Sequence, residues 1–385
     1  MIEKSHIHKS VHMLKREEIC EDRVLIIIHY AGLDNNQASG INIIVPQIVH
    51  AQANLARVGF YNYGKDCLPI EENVTILSNA SRDDYHSFPA PFNHPNIVLF
   101  HSPFGIPRIV HLAKRLIKER IPYIIVPHGC FSEISFQQKY LKKVMACNLY
   151  FRTLINQASA IQFLSKGEKK RSRYNKKGIV ISNGVDIPAE VSSFRNTDHI
   201  VISYIGRKNI YQKGLDLFMD ACQKVRKSLQ EHVIVNLYGP IDEDEVINGR
   251  IRDNGLQKIV FNHPPVFGQE KERVLRESSL LVLTSRCEGQ PVIVLEAWAN
   301  GCPTLLTPET NMAEEAVANG CGWRTEGNSE SIANTLLKIV DSRDELCSFS
   351  KNAYDHAKHN YQWSVVTKKA LSIYQRIVRE YGTDE

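Results

Sequence analysis

The stretch from Ser278 to Thr307 constrains the fold more than any other part of the sequence. Four adjacent aliphatic residues, Leu280 to Leu283, are typical of a strand that is buried on both faces. After a polar loop comes Pro291, which fits the first turn of a helix because proline lacks an N–H that would have no partner there. Gly301 can take the left-handed conformation that ends a helix, and Cys302 to Leu306 predicts another strand. Strand, loop, helix and strand form half of a doubly wound sheet, whose ligands bind at the carboxyl ends of the strands.

Two acidic residues flank the predicted turn from loop to helix. Glu288 lies in the loop, and Glu296 lies eight residues later on the helix. Between them, the free N–H groups at the helix start, around Gln290 to Val292, attract phosphate. Carboxylates on either side of a phosphate site can bind hydroxyl groups, so the pattern matches the sugar, diphosphate and ribose of a nucleotide-sugar.

Composition excludes several classes of protein. With 385 residues the chain is long enough for two domains with full cores. Its nine cysteines show neither a CxxC pair nor zinc-finger spacing with histidine, which favours reduced thiols in a cytosolic protein. The first residues lack the apolar core of a secretory signal, and no window has the eighteen or more apolar residues of a spanning helix. We therefore expect a cytoplasmic protein, soluble or peripheral at the inner face of the membrane.

Positive charge is concentrated in the first half of the chain. Between His111 and Val180 there are fifteen Lys or Arg residues and three acidic residues, a net charge of +12, whereas the whole chain carries +5. Such an excess suggests contact with anionic lipid head groups or phosphorylated acceptors, although solvated helix faces would look the same. Part of this charge lies on a predicted helix from Ser135 to Asn156, which either lies on a membrane surface or covers the core.

Strand and helix patterns alternate twice along the chain and predict two α/β domains. The first domain covers 21–188, the second covers 198–360, and a crossover helix covers 361–385, with a polar linker between the domains. In the first domain we predict a strand from Arg23 to His29. A helix runs from Gly40 to Gly59, with Pro46 either kinking it or marking its true start.

Two residues of the first domain are candidates for the site. Gly40 lies at a strand-to-helix turn, where the lack of a side chain permits close approach of a ligand. His128 follows the strand Tyr123 to Pro127, a position suited to catalysis or to sugar contact, although an isolated histidine is often structural.

These residues, taken together, resemble the retaining glycosyltransferases of family 4, which belong to glycosyl transferases group 1 and have the GT-B fold. The resemblance covers the chain from about Arg23 onward and is most specific in the second domain. Its motifs are SNGVD before the linker, GRKNIYQKG after the first strand of the second domain, EGQPVIVLE, and EAWANGCP. The fold it implies is two Rossmann-like doubly wound α/β domains facing across a cleft, with the C-terminal helix crossing back to the first domain.

The resemblance also implies a role for each candidate residue. Arg207 and Lys213 would hold the donor diphosphate and stabilise the charge of the leaving group. Glu288 would bind hydroxyls of the donor sugar, and Glu296 those of the ribose. The backbone from Gly289 through Gln290 and Pro291 to Val292 would contact the phosphates, where Gly40 would let the first domain approach. His128 would touch the donor sugar near its reacting face.

The implied activity is transfer of a hexose-type sugar from a UDP- or GDP-sugar to a lipid-linked or other cell-surface glycan acceptor. We expect retention of configuration, neither cofactor nor metal, no nucleic-acid partner and a possible anionic membrane surface. The acid run from Asp242 to Glu245 is interpreted as complementing a helix start. Two alternatives stay open, a sugar-nucleotide epimerase on the same fold and an inactive partner subunit. A nicotinamide dehydrogenase is disfavoured because neither half shows GxGxxG after its first strand.

Overall fold

The computed structural model describes residues 24–36, 39–64, 73–78, 84–102, 109–131, 151–189, 199–240 and 244–383. Within these ranges the chain forms two parallel sheets, each covered by helices, as expected of the GT-B fold. Purely parallel sheets need helical layers on both faces, which explains the continuous apolar runs of their strands.

The first sheet is seven-stranded, with the order β3-β2-β1-β4-β5-β6-β7. Its strands are β1 (Ile26–Ala31), β2 (Arg57–Asn62), β3 (Thr75–Ile76), β4 (Ile97–His101), β5 (Tyr123–Val126), β6 (Ala160–Phe163) and β7 (Gly178–Val180). Its helices are α1 (Gly40–Ala53), α2 (Ile109–Lys118), α3 (Arg152–Gln157) and α4 (Lys166–Arg171).

The second sheet is six-stranded, with the order β10-β9-β8-β11-β12-β13. Its strands are β8 (Ile200–Ile205), β9 (Val233–Tyr238), β10 (Val260–His263), β11 (Leu280–Leu283), β12 (Thr304–Leu306) and β13 (Gly322–Arg324). The helices are α5 (Leu215–Lys224), α6 (Arg226–Leu229), α7 (Asp244–Asp253), α8 (Gly268–Glu277), α9 (Val292–Ala299), α10 (Ala313–Ala318), α11 (Ser329–Asp341), α12 (Leu346–Asn360) and α13 (Trp363–Thr383). None of the described helices is long and apolar enough to cross a bilayer.

Both sheets reverse their strand order at one point. In the first sheet the reversal lies between β1 and β4, and in the second between β8 and β11. Loops that leave the carboxyl ends of such neighbouring strands run in opposite directions and open a crevice between them. The two reversal points therefore position the loops that form the site.

The last helix, α13, packs on the first domain although it follows the second in sequence. Val366, Ala370, Leu371, Tyr374 and Ile377 are buried in the same core cluster as strands β1, β4 and β5. The predicted crossover back to the first domain is present, and its apolar spacing is that of one helix face.

Several predicted boundaries were wrong. The first helix ends at Ala53 rather than Gly59, because the chain turns there and Gly59 lies in the middle of β2. A Cβ on Gly59 would lie 2.7 Å from Leu77, so this glycine serves strand packing and not helix termination. Pro46 lies inside α1, which begins at Gly40, and β1 begins at Ile26, three residues later than predicted.

Two predicted segments fall largely outside the described residues. The described part of the basic helix from Ser135 to Asn156 includes the start of α3, and the polar linker 191–198 is not described. Of the acid run, Glu245 is described and lies in the first turn of α7, as does Asp244. The carboxylate of Asp244 accepts a 2.5 Å hydrogen bond from the Nζ of Lys208, so it binds a buried lysine as well as facing a helix start.

Candidate active site

A cleft of about 450 Å³ lies between the two domains, at the reversal points of both sheets. All ten residues predicted from the sequence line it: Gly40, His128, Arg207, Lys213, Glu288, Gly289, Gln290, Pro291, Val292 and Glu296. Lys271 lines it as well and was not predicted. The cleft thus brings three cationic side chains and two carboxylates together in a space that fits a small ligand.

Lys213 and Glu288 meet in the centre of the second-domain wall. Lys213 Nζ donates to Glu288 Oε1 at 2.6 Å, and Ser285 Oγ donates to the same oxygen at 2.7 Å. Both charged side chains are largely buried, with 14% and 13% of their surface exposed. Because Oε1 takes both bonds, Oε2 of Glu288 is left for a ligand hydroxyl.

The loops that carry this pair are fixed against each other. Gly214 has φ of +64°, and a Cβ there would lie 2.0 Å from the carbonyl oxygen of Thr284, so only glycine fits. Arg286 forms two 2.8 Å hydrogen bonds to the carboxylate of Asp216 at the start of α5. The Lys213 and Glu288 loops therefore form one rigid unit.

Glu296 has a cationic partner of its own. Lys271 Nζ on α8 donates to Glu296 Oε1 on α9 at 2.6 Å, and each side chain has 22% of its surface exposed. The sequence offered only a weak signal for Lys271, since several charged residues follow one another in α8. The structure selects it because α8 packs beside α9 at the cleft.

Arg207 and Lys208 are neighbours with different environments. Lys208 is 3% exposed and donates to Asp244, Asn262 and the carbonyl of His263, which makes it a structural residue. Arg207 is exposed at the cleft, and its guanidinium has no hydrogen-bond partner among the described residues. The guanidinium is thus available for an anionic ligand.

The start of α9 carries no side-chain cap. Pro291 is the N-cap residue in extended conformation, and α9 begins at Val292. Its first amide groups consequently lack an intrahelical partner, as an anion site requires. The side chain of Gln290 points elsewhere, since its Oε1 accepts from the backbone N–H of Asn183 at 2.9 Å.

The two domains touch through two glycines at the cleft. Gly129 has φ of +83°, and a Cβ on it would lie 2.9 Å from the Cα of Gly289. The buried carboxylate of Glu168 holds this turn by accepting from the N–H groups of Gly129 and Leu164 at 2.7 and 2.6 Å. Burial raises the pKa of Glu168 to about 6, although these two hydrogen bonds oppose the rise.

Helix α4 also holds the loop that carries Glu288. Arg171 donates to the carbonyl of Pro308 and to Oδ1 of Asn311. Asn311 in turn donates from Nδ2 to the carbonyls of Glu288 and Gly289 at 2.7 and 2.9 Å. A first-domain helix is thereby connected to the loop that forms the opposite wall of the cleft.

Three histidines form a row behind the first-domain wall. His101 Nδ1 lies 2.8 Å from His128 Nε2, and His101 Nε2 lies 3.0 Å from His29 Nδ1. His29 Nε2 lies 3.1 Å from Gln52 Oε1 on α1. Burial lowers the pKa of His29 and of His128 to about 4, and lowers that of His101 well below its ordinary value.

The sequence contained a signal for this row that was missed. His29 lies within β1, His101 ends β4 and His128 follows β5, so three adjacent strands each carry a histidine in their second half or just after their end. The predicted candidate, His128, is therefore one member of a connected set.

The second domain matches a family of known proteins. The family of glycosyl transferases group 1 matches residues 188–356, the segment that contains Arg207, Lys213, Glu288 and Glu296. The match covers less than half of the chain, so it relates the second domain to glycosyl transferases group 1, in keeping with the GT-B arrangement of the two sheets.

Individual relatives are distant. The chain is 23% identical over 284 residues to the uncharacterized glycosyltransferase MJ1178 of Methanocaldococcus jannaschii, covering 73% of this chain and 76% of that one. It is 25% identical over 210 residues to a D-inositol 3-phosphate glycosyltransferase of Paenarthrobacter aurescens, about half of each protein.

Solved structures with a similar fold cover most of the chain, and two of them illustrate the likeness. Sucrose-phosphate synthase from Thermosynechococcus elongatus superimposes with a TM-score of 0.71 at 14% identity, covering 93% of this chain and 100% of that one. The Anabaena protein Alr3699/HepE in complex with UDP gives a TM-score of 0.67 at 17% identity, covering 91% and 100%.

Proposed function

We propose that this chain is a retaining glycosyltransferase of family 4 that transfers a hexose-type sugar from a UDP- or GDP-sugar to a lipid-linked or other cell-surface glycan. The observation that carries the proposal is the pair of Lys–Glu contacts, Lys213 with Glu288 and Lys271 with Glu296, on one wall of the interdomain cleft. Each carboxylate gives one oxygen to its lysine and keeps the other for a hydroxyl.

The donor fits this wall by its chemistry. Arg207, Lys213 and the free amides at the start of α9 would bind the diphosphate, since cations and helix starts both favour phosphate. Glu296, beside Lys271, would bind the ribose, and Glu288 would bind hydroxyls of the sugar.

The transfer requires stabilisation of a leaving group. The bond from the anomeric carbon to the diphosphate oxygen breaks, and a bond to the acceptor oxygen forms on the same face. The proton of the acceptor hydroxyl passes to the departing phosphate. Arg207 and Lys213 would stabilise the negative charge that grows on the diphosphate, which is the reason we propose that no metal is required.

Donor identity is testable by thermal unfolding. Ligand that binds the native state raises the apparent stability by mass action, so UDP, GDP and their sugar derivatives can be ranked by the shift in Tm. UDP compounds come first because Alr3699/HepE was solved with UDP and with UDP-glucose. Absence of a shift with every nucleotide would refute the proposal.

Catalysis is then tested with the best donor. Incubation with a lipid-linked glycan should give product and free nucleoside diphosphate, and EDTA should leave the rate unchanged. Conversion of the donor to its epimer without acceptor would instead show an epimerase. A protein that binds the donor and converts nothing with any acceptor would act as a partner subunit.

Two observations support the proposed acceptor: the positive charge of the first half of the chain and the names of similar proteins. The net charge of +12 between His111 and Val180 supports binding at an anionic membrane surface on the cytoplasmic side. Relatives include the amylovoran biosynthesis glycosyltransferase AmsK of Erwinia amylovora and the putative colanic acid biosynthesis glycosyltransferase WcaL of Escherichia coli. Their names support a polysaccharide acceptor.

Vesicles with anionic lipid should bind the protein at low salt and release it at high salt, whereas neutral vesicles should not bind it.

A further inference from the structure

The histidines behind the cleft form a chain of hydrogen bonds, and the inner end of this chain determines which nitrogen donates in each bond. Its inner end is the side-chain amide of Gln52 on α1, which meets the ring of His29. An amide oxygen can accept a hydrogen bond but cannot donate one. The carbonyl Oε1 of Gln52 then faces Nε2 of His29 as an acceptor.

Each neutral imidazole has one donor nitrogen and one acceptor nitrogen, so this end fixes every other bond. His29 donates from Nε2 to Gln52 and accepts at Nδ1. His101 therefore donates from Nε2 to His29 and accepts at Nδ1, and His128 donates from Nε2 to His101. The remaining nitrogen, Nδ1 of His128, carries a lone pair and has no hydrogen-bond partner among the described residues.

The surroundings keep this row neutral. His29 and His101 are 0% and 1% exposed, and across the described residues no carboxylate forms a hydrogen bond with any of the three rings. A second proton on His29 or on His101 would place two N–H groups opposite each other at about 3 Å, which is repulsive.

Two polar side chains lie close to the row. Tyr63 donates to the carbonyl of His101, and Glu168 accepts from the backbone N–H of Gly129 next to His128.

We infer that His101 and His29 are positioning residues which hold His128 as a neutral imidazole with its proton on Nε2, so that its Nδ1 accepts a hydrogen bond from a hydroxyl of the sugar substrate. The role of the hydroxyl rests on the proposed function, whereas the position of the proton on Nε2 rests on the hydrogen bonds alone. The left-handed backbone of His128, with φ of +48°, is consistent with a ring that is held in place by its partners.

The first test measures the protonation state directly. The full-length protein labelled with ¹⁵N-histidine gives ring nitrogen signals that distinguish the two tautomers and the imidazolium, and His128→Gln assigns the signal of His128. At pH 7 we expect Nε2 to carry the proton and Nδ1 to carry none. A proton on Nδ1, or an imidazolium, would overturn the inference.

The second test separates positioning from binding. His101→Phe keeps an aromatic ring of similar size but removes both hydrogen bonds, and His50→Phe on the exposed side of α1 is the control. For His101→Phe we expect kcat with the donor selected by thermal shift to fall about 10- to 100-fold, a typical loss for the hydrogen-bond partner of a functional histidine. Affinity for UDP should be unchanged, because the nucleotide contacts lie on the second domain.

Three outcomes are distinguishable. Wild-type kcat in folded His101→Phe overturns the inference, and so does a loss of kcat with the tautomer of His128 unchanged. If the wild type binds neither UDP nor GDP, the proposed function fails, and the tautomer measurement still decides whether the row holds His128 as inferred.

Discussion

The Nζ of Lys213 lies 2.6 Å from Oε1 of Glu288. The phosphate-binding cation and the hydroxyl-binding carboxylate proposed for the donor are thus each other's partners. An ammonium group has three donors and a carboxylate has several lone pairs, so the contact can persist when a ligand binds to both. The pair then positions two ligand-binding groups with a single contact.

Replacing Lys213 tests the stabilisation of the leaving group. In Lys213→Met we expect kcat to fall about 100-fold or more, by analogy with the loss of one preorganised donor to a developing anion. The fold should persist because Ser285 still donates to Glu288. Steady-state transfer assays give the rate, and circular dichroism checks the fold. Lys224→Met, at an exposed pair with Glu330 in the same domain, should keep the wild-type rate. Unimpaired turnover in Lys213→Met would contradict the role.

Replacing Lys271 tests the ribose side. Lys271→Met leaves Glu296 without its cationic partner, so the carboxylate is less well oriented for the ribose hydroxyls. We expect the Kd for the preferred nucleoside diphosphate to rise about tenfold, equivalent to roughly 1.4 kcal/mol. Calorimetry measures it, with Lys338→Met on the exposed face of α11 as the control. Equal affinity in Lys271→Met and the control would show that Glu296 needs no partner.

Replacing Gly129 tests the contact between the domains. In Gly129→Ala the positive φ costs about 1–2 kcal/mol, and the new methyl group also meets Gly289. Gly268→Ala has a positive φ of +51° with no atom within 4 Å of the new Cβ, so it measures the backbone cost alone. Urea unfolding should show a larger loss of stability for Gly129→Ala, and transfer should slow in that variant. Equal losses of stability in the two variants would mean that disturbing the contact between the domains costs no stability.

The buried histidines make stability depend on pH. Because burial lowers the pKa of His29 from 6.5 to about 4, the unfolded state binds its proton first as the pH falls. Stability from this group is present above pH 6.5 and is lost as the pH falls toward 4, with a slope of about 1.4 kcal/mol per pH unit. His29→Leu should remove that share of the slope in urea unfolding between pH 5 and 6.5.

Gln52→Leu serves as the matched control for this slope. It breaks the same row of hydrogen bonds but keeps all three histidines, so the protein should lose stability and retain the wild-type slope. Glu168, with its raised pKa, titrates with the opposite sign in all three proteins and cancels in the comparison. An identical slope in His29→Leu and the wild type would show that His29 is protonated in the native state.

Local patterns in the sequence predicted the second domain closely. The four aliphatic residues of β11, Pro291 before α9 and Gly301 after it mark element ends by backbone chemistry that needs no tertiary contact. The predicted site residues lie in the cleft because they follow strand ends, and the doubly wound strand order brings strand ends together.

Other features depend on contacts that no local pattern shows. The helix α1 ends at Ala53, and Gly59 lies in β2, where Leu77 and Phe92 leave no room for a side chain. Lys271 became a site residue only through the position of α8 beside α9. The histidine row required the order β1-β4-β5, which joins residues 72 and 27 positions apart.

The return of α13 to the first domain has a consequence for biosynthesis. On the ribosome, Val366, Ala370 and Tyr374 are made after the entire second domain. The part of the first sheet that α13 covers therefore stays exposed while the rest of the polypeptide is translated, and chaperones that bind exposed apolar surface have a long interval in which to act on it.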